Sequence, residues 1–430
     1  MFRIIFLVLV SMLFVSCSTM HQQIKPSEKA FEQEDTYIMF ALRAEQLHDN
    51  LSAAKLFNTL YEKSSKKEYL YRSLENLFVA REYKTVIKNV DNLTQNSLDD
   101  PKLIRLKILS LFELSQLKEA GDLAVKLAQN TQKADDYILV SDIYSKQGKY
   151  NLALKYLEGA YVKNYNEKIL DKIAIILYVN LHRTNDAIAE LESHSRIHGC
   201  SKLICNRLVG IYSNENNIDR LLSVYKRMYA QNKSEAIAKK IIQIYTYKRE
   251  YVKLMDFLED AKIDEELLLQ LYVSGKNYDK AYKLAYKLYA QTSNIDYLGQ
   301  GAIYEYEAQQ KNMSRKTLDK IVQRLERVVQ KKKEPLYLNY LGYILIDHEL
   351  DIKKGIKYIQ EVLKQRPNSA YYLDSLGWGY YKLGKCKKAK KIMDKVVTLK
   401  NGDDPEVLFH VKEIDKCLRN PHYKKAIDKR

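Results

Sequence analysis

The chain has 430 residues, 46% of them hydrophobic and 29% charged, with a formal net charge of +17 at pH 7. Six prolines and fourteen glycines are few for a turn-rich β protein, and long low-complexity tracts are absent, so the composition argues against a β fold and against a disordered chain. This length accommodates two or three ordinary domains or one elongated repeat array.

The first residues predict an export signal. Arg3 precedes an apolar stretch over residues 4–15, which is shorter than the ~20 residues that a membrane-spanning helix needs. Residues 13–17, which end in Cys17, resemble the lipobox of bacterial lipoproteins. The resemblance implies that residues 1–16 are a signal peptide and that Cys17 is the lipidated first residue of the mature chain. The alternative is an ordinary secretory signal with an incidental cysteine.

Export determines how the charge is interpreted. Residues 17–35 are expected to form a polar tether. Ser18, which follows the lipidated cysteine, resembles the default signal for transfer to the outer membrane. We therefore expect the protein to be located in the cell envelope and to face the periplasm. An exported chain does not meet the genome, so nucleic acid is excluded as a partner. The excess of positive charge then indicates contact with anionic lipid, with an acidic cell-wall polymer or with an acidic protein. The alternative is that the basic residues lie on solvated helix faces and bind no partner.

Small or apolar residues recur along the chain at helical-hairpin spacing. The intervals are 33 or 34 residues, except for a last interval of 27. The members of this column are Ala53, Val86, Ala120, Ala153, Ala187, Leu221, Leu254 and Ala281. A second apolar column precedes it by nine residues in most units, and a third follows it by four. Two apolar stripes separated by a short polar break are typical of paired antiparallel helices.

The clearest units lie between residues 335 and 400. Leu-Gly pairs end at Gly342 and Gly377, and a small residue follows in the next helix at Gly355 or Ala389. This pattern resembles the tetratricopeptide repeat, a hairpin in which small residues let two helices approach closely. The resemblance implies an all-α fold, a right-handed α-solenoid of about eleven such hairpins over residues 36–400. Residues 401–430 are predicted to form a capping helix, over 405–418, and a basic tail.

The resemblance also predicts a binding surface. In tetratricopeptide repeats the first helices of the hairpins line a concave groove that holds peptides. The groove positions of the last two hairpins are Asn339, Tyr343, Trp378, Tyr381 and Lys382. Aromatic rings mixed with amides and charges suit an extended peptide or a helix. The alternative is that these rings belong to the core, since tyrosine is abundant throughout the chain.

No catalytic motif stands out in the sequence, which predicts a protein that is not an enzyme and that needs no cofactor. His194, His198, Cys200 and Cys205 are weak candidates for a metal site, but their spacing matches no metal motif, so we predict none. His194 alternatively serves as a hydrogen-bonded interior ring. Cys200 and Cys205 alternatively form a disulfide.

Cys386 and Cys417 are the stronger disulfide candidates. Cys386 begins the second helix of the last repeat, and Cys417 ends the predicted capping helix. A turn near Gly402 would bring the two level in antiparallel helices. The alternative is two buried free thiols.

These patterns favour a non-enzymatic envelope lipoprotein that binds other envelope proteins or peptides through its groove. A second hypothesis is an adaptor that contacts peptidoglycan or an acidic cell-wall polymer for cell-wall enzymes. An enzymatic role is the least supported of the three.

Overall fold

A computed structural model describes residues 29–94, 100–310 and 313–419. Within these ranges the chain forms 23 α-helices and one five-residue π-helical turn, and no strand, so the predicted all-α class is confirmed. The predicted signal peptide 1–16, Cys17, most of the tether and the tail 420–430 lie outside the described residues. None of the described helices combines the length and apolar character needed to cross a bilayer.

The chain divides into two compact units, Met1–Ile241 and Ile242–Arg430. The helices that begin in the first unit are α1 Glu34–Gln46, α2 Asn50–Ser64, α3 Lys67–Val79, α4 Tyr83–Thr94, α5 Pro101–Glu113, α6 Leu117–Thr131, α7 Ala134–Lys146, α8 Tyr150–Lys163, α9 Glu167–Ile175 with the π-helical turn Ile176–Asn180, α10 Thr184–His198, α11 Lys202–Asn214, α12 Ile218–Gln231 and α13 Glu235–Tyr247.

The helices that begin in the second unit are α14 Tyr251–Ala261, α15 Glu265–Ser274, α16 Tyr278–Thr292, α17 Ile295–Gln309, α18 Arg315–Lys331, α19 Pro335–Asp347, α20 Ile352–Gln365, α21 Ala370–Lys382, α22 Cys386–Val396 and α23 Pro405–Arg419. Taken two by two from α1 to α22, the helices make eleven successive pairs, and α23 follows where a capping helix is predicted. The odd-numbered member of each pair is its first helix, and the even-numbered member is its second helix.

The turn inside a hairpin repeats as regularly as the hairpin itself. In ten of the pairs one residue of this turn has a left-handed backbone, with φ between 52° and 73°. These residues are His48, Arg81, Ser115, Gly148, His182, Asn216, Arg249, Lys276, Glu349 and Gly384. Only two of the ten are glycine, although glycine is the residue that adopts this conformation most readily. The left-handed backbone conformation therefore recurs in these turns, although the residue type at that position changes from one turn to the next.

The small-residue column predicted from spacing forms the inner seam of the hairpins. Its eight members, from Ala53 to Ala281, are all buried, with at most 9% of each side chain exposed. Five of the eight are alanine, and these small side chains allow the second helix to lie close to its neighbours. Burying a large apolar side chain contributes about 1.5–3 kcal/mol.

Charged pairs join the first helices of successive hairpins in the first unit. Arg105 on α5 donates to both carboxylate oxygens of Asp136 on α7, and its Nη2 lies 2.7 Å from Oδ2. Arg207 on α11 makes the same two-pronged contact with Asp171 on α9, at 2.7 and 3.0 Å. Such forked contacts fix orientation as well as distance, so they set the register of neighbouring hairpins.

Glu34 is the first such anchor, and it gives a pH-dependent prediction. Its buried carboxylate accepts hydrogen bonds from Lys66 Nζ at 2.7 Å and Tyr69 Oη at 2.6 Å. These bonds lower the pKa of Glu34 to about 2. A depressed folded-state pKa stabilises the protein above the ordinary value of 4.5, and this contribution is lost as the pH falls towards 2. We expect Glu34→Gln to cost about 2 kcal/mol at pH 7 and almost nothing at pH 2, measured by urea unfolding.

Glu62→Gln is the matched control, because Glu62 is an exposed glutamate that, among the residues the structure describes, accepts a hydrogen bond from Asn58 on its own helix. It should change stability little at either pH. An equal loss for Glu34→Gln at both pH values would contradict the assignment.

Candidate protein-interaction face

The first helices of the last two complete hairpins are positioned by close backbone contact with their second helices. In the α19–α20 pair a β-carbon on Gly355 would lie 2.6 Å from the carbonyl oxygen of Gly342, so only glycine fits this crossing. In the α21–α22 pair a β-carbon on Gly377 would lie 2.6 Å from the sulfur of Met393. These crossings set the direction in which α19 and α21 present their remaining side chains.

Four of the five predicted groove residues lie together in the second unit: Tyr381 and Lys382 contact the Trp378 ring, and Tyr343 and Trp378 both contact His410. Asn339 lies one helical turn before Tyr343 on α19. We call this surface the first-helix face and define it by side chains of α17, α19 and α21: Tyr306, Glu307, Asn339, Tyr340, Tyr343, Asp347, Asp374, Trp378, Tyr381 and Lys382. The structure brings four of the predicted residues together, but it also gives them partners within the chain.

Trp378 lies at the centre of this face and is 5% exposed. Its ring stacks on His410 of α23 at 4.0 Å and on Tyr381 at 4.6 Å between centroids. Its Nε1 donates to Asp347 Oδ1 at 2.8 Å. Tyr381 is equally buried. An incoming peptide therefore meets α23 before it meets these two rings.

Polar contacts hold α23 on the face. Both carboxylate oxygens of Asp374 lie within 3.0 Å of His410 Nδ1, and both residues are buried. Tyr343, on the preceding first helix, donates its hydroxyl to Glu406 in the first turn of α23. The capping helix thus contacts the first helices of two hairpins.

Lys382 and Asn339 differ from the three rings. Lys382 Nζ donates to the Asp347 carbonyl oxygen and to Glu349, each at 3.0 Å. Asn339 is half-buried, and its Oδ1 is a buried acceptor for which the described residues supply no donor. Asn339 is therefore the predicted groove residue with an unmet hydrogen-bonding capacity.

The α17 side of the face combines a buried tyrosine, Tyr306, with half-buried Glu307 and Tyr340. Tyr340 donates to Glu307 at 3.1 Å, and Tyr306 shares a hydrogen bond with His348 at 3.2 Å. Burial, together with the charge of Glu406, raises the pKa of Glu307 above its ordinary value. Burial and the neighbouring carboxylates also raise the pKa of Tyr340 and of Tyr343. The phenols therefore stay neutral, and their hydroxyl groups donate to these carboxylates.

Sequence analysis did not predict that α23 covers Trp378. The pattern places a capping helix after the last repeat, but which side chains it meets depends on contacts between residues 36 positions apart, such as Asp374 and His410. Phe409 and His410, adjacent rings in a predicted amphipathic helix, are the signal that could have suggested a match to Trp378.

The histidine and cysteine cluster of the first unit forms contacts of another kind. His194 is buried, its Nδ1 lies 2.9 Å from Tyr161 Oη and its Nε2 lies 3.2 Å from Glu167. The His194 ring also packs against His198 at 4.7 Å. Cys200 and Cys205 are paired as a disulfide, with Cα atoms 5.4 Å apart, so their sulfurs are not free thiolates. Across the described residues no group of three potential metal ligands converges.

Cys386 and Cys417 are also paired as a disulfide, with Cα atoms 6.1 Å apart. This bond joins the first residue of α22 to the last turn of α23. It fixes the carboxyl end of the capping helix, while the contacts to Trp378 and Tyr343 fix its amino end.

Comparison with known proteins adds only distant likenesses. No protein-family model matches the chain, and no curated protein matches its sequence. Three solved structures are similar: Naa15/Naa10 bound to HypK-THB (TM-score 0.34, 13% identity, covering 83% of this chain and 66% of that one), MamA 41-end from Desulfovibrio magneticus RS-1 (0.35, 12%, 40% and 99%), and the APC/C hetero-tetramer Cut9-Hcn1 (0.30, 12%, 91% and 91%). At these TM-scores the likenesses carry no argument, and the assignment to hairpin repeats rests on the chain's own geometry.

Proposed function

We propose that the chain is a non-enzymatic scaffold that binds a protein partner through the first-helix face of the second unit. The observation that carries the proposal is the chemistry of that face. Half-buried Tyr340 and Tyr343 stand beside Glu307 and Glu406, so aromatic rings and carboxylates lie together there. Rings of this kind, mixed with charged side chains, supply contact area to a protein partner at low entropic cost.

We further propose that this scaffold is an envelope lipoprotein, anchored through Cys17 and facing the periplasm, with the outer membrane as its site. Two observations support the compartment. The leader resembles that of bacterial lipoproteins, and four of the five cysteines are paired in disulfides, which persist in oxidising compartments. The partners would then be other envelope proteins or their peptides, in the assembly of an envelope structure.

The alternative, an adaptor for an acidic cell-wall polymer, is favoured by one feature. Six lysines lie on or next to the short helix α22, and Lys387 and Lys388 are exposed there. A row of lysines on a second helix suits a polyanion better than a peptide. Binding to purified cell wall that disappears at high salt, with no protein partner captured, would favour this alternative.

Photo-cross-linking in the native cells tests the proposal. A photoreactive phenylalanine analogue replaces Tyr340, on the face, or Tyr358, a partly buried tyrosine on the paired helix α20 that serves as the matched control. We expect position 340 to trap one or a few proteins and position 358 to trap none of them. Identical adducts from both positions, or adducts to polymer alone, would contradict a protein-binding face.

A further inference from the structure

We propose that the Cys386–Cys417 disulfide is a redox latch, which holds α23 over the first-helix face until a dithiol reductant opens it. The inference deepens the proposed function, because the surface that α23 covers is part of the proposed protein-binding face. It starts from the position of the covalent bond. Among the described residues, the disulfide is the only covalent link between α23 and the last hairpin besides the chain itself, which connects them through residues 397–404.

The disulfide borders a surface cavity through Cys386, which is half-buried, while Cys417 is 6% exposed. A cavity of about 500 Å³ is lined by both cysteines together with Gly384, Lys385, Lys387, Lys388 and Leu418. By contrast, Cys200 and Cys205 are both buried, with at most 3% of either residue exposed. An external thiolate can therefore reach one of the two disulfides more readily than the other.

The surroundings of Cys386 favour exchange chemistry. Cys386 is the first residue of α22, where the helix N-terminus stabilises a negative charge, and three lysines surround the cavity. The thiolate of a dithiol reductant attacks the sulfur of Cys386, the more exposed residue of the pair, and Cys417 leaves as a thiolate that takes up a proton. The second thiol of the reductant then displaces Cys386, whose thiolate the helix N-terminus stabilises, so two electrons reach the protein, two cysteines are reduced and the reductant becomes a disulfide.

Opening the bond changes how firmly the face is covered. The disulfide closes a loop between residues 31 positions apart, and in the entropic account the loss of such a loop favours release of α23 by about a hundredfold or more. When α23 departs, Trp378 loses the ring of His410 that stacks on it, and Asp374 loses its hydrogen-bonding partner. The released surface then offers an indole, two tyrosines and a carboxylate to a partner helix.

Trp378 is the only tryptophan in the chain, so its fluorescence reports on this face alone. The full oxidised protein is treated with limiting dithiothreitol, and cysteine alkylation by mass spectrometry and acrylamide quenching are followed together. We expect Cys386 and Cys417 to be alkylated at least ten times faster than Cys200 and Cys205. Acrylamide quenching of the Trp378 fluorescence should rise several-fold as Cys386 and Cys417 become alkylated. The far-ultraviolet circular dichroism spectrum should remain that of a helical protein.

Two variants sharpen the test. Cys417→Ser should show the high quenching without reductant. Lys385→Gln with Lys387→Gln should slow reduction several-fold and leave the quenching of the reduced protein unchanged.

Unchanged quenching after complete alkylation of Cys386 and Cys417, equal reduction rates for the two disulfides, or general loss of helix on reduction would each overturn the latch. None of these readouts involves a partner. Failure to trap a protein from position 340 would therefore count against the proposed function, and not against the latch.

Discussion

Replacing Gly355 by alanine should destabilise the second unit by about 3 kcal/mol. The added methyl group would lie 2.6 Å from the Gly342 carbonyl oxygen and 2.8 Å from Ile346, so α19 and α20 must separate. Because α19 carries Asn339 and Tyr343, the first-helix face should be distorted as well. Urea unfolding with hydrogen exchange on the α19 and α20 amides measures both effects.

Gly210→Ala is the matched control, because Gly210 is an exposed helical glycine with no atom within 4 Å of its added β-carbon. This change should stabilise α11 by about 0.5–1 kcal/mol, since alanine loses less backbone entropy than glycine in a helix. Equal effects of the two substitutions would show that the α19–α20 crossing is not as tight as described.

Replacing Arg105 by alanine should cost about 3 kcal/mol at pH 7, because it leaves the carboxylate of Asp136 buried without its forked partner. Burial alone would raise the pKa of Asp136, but hydrogen bonds from Arg105 and Thr131 outweigh it and hold that pKa below its ordinary value. The pair therefore stabilises the fold at neutral pH, and its contribution is lost as the pH falls through the depressed value.

The Arg105→Ala protein should accordingly lose less stability than the native protein between pH 7 and acid, as followed by urea unfolding at several pH values. Arg315→Ala is the control, because Arg315 and Asp319 form an exposed pair on one helix. It should change stability by less than about 0.5 kcal/mol. If Arg105→Ala also cost less than about 0.5 kcal/mol, the Arg105–Asp136 ion pair between α5 and α7 would not set the register of the hairpins.

The repeat was predictable because its cause is local and periodic. Helix crossings need small side chains, so Ala120, Ala153 and Ala187 recur at the spacing of the hairpins, and each is fully buried. The turns were less predictable. A left-handed residue recurs in ten of them, but His48, Arg81 and Glu349 occupy positions where glycine would have marked the turn.

The binding face was predictable only in part. Its positions follow from the repeat, so Tyr343, Trp378 and Lys382 could be assigned to one surface. The helix that covers the face, α23, is placed there by individual contacts that do not recur along the sequence, such as those of Trp378 with His410 and of Tyr343 with Glu406. A capping helix can be predicted from Pro405 and its acidic neighbours, but the side on which it packs depends on these three-dimensional contacts.

The repeats and the capping helix have different roles in the proposed function. Glycine crossings and hydrogen bonds between side chains of successive first helices hold the face in a fixed geometry, which lowers the entropic cost of binding. The capping helix is held by buried Val407 and Ile414, a few rings, polar contacts and one disulfide. In the latch proposal it is the part that is released while the hairpins beneath it stay folded.

Hydrogen exchange on the full reduced chain, with and without the protein trapped from position 340, tests the central claim most directly. A partner on the first-helix face should protect peptides of α17, α19 and α21 and leave those of α18, α20 and α22 unchanged. Protection confined to the second helices, or spread equally over both sets, would contradict the account.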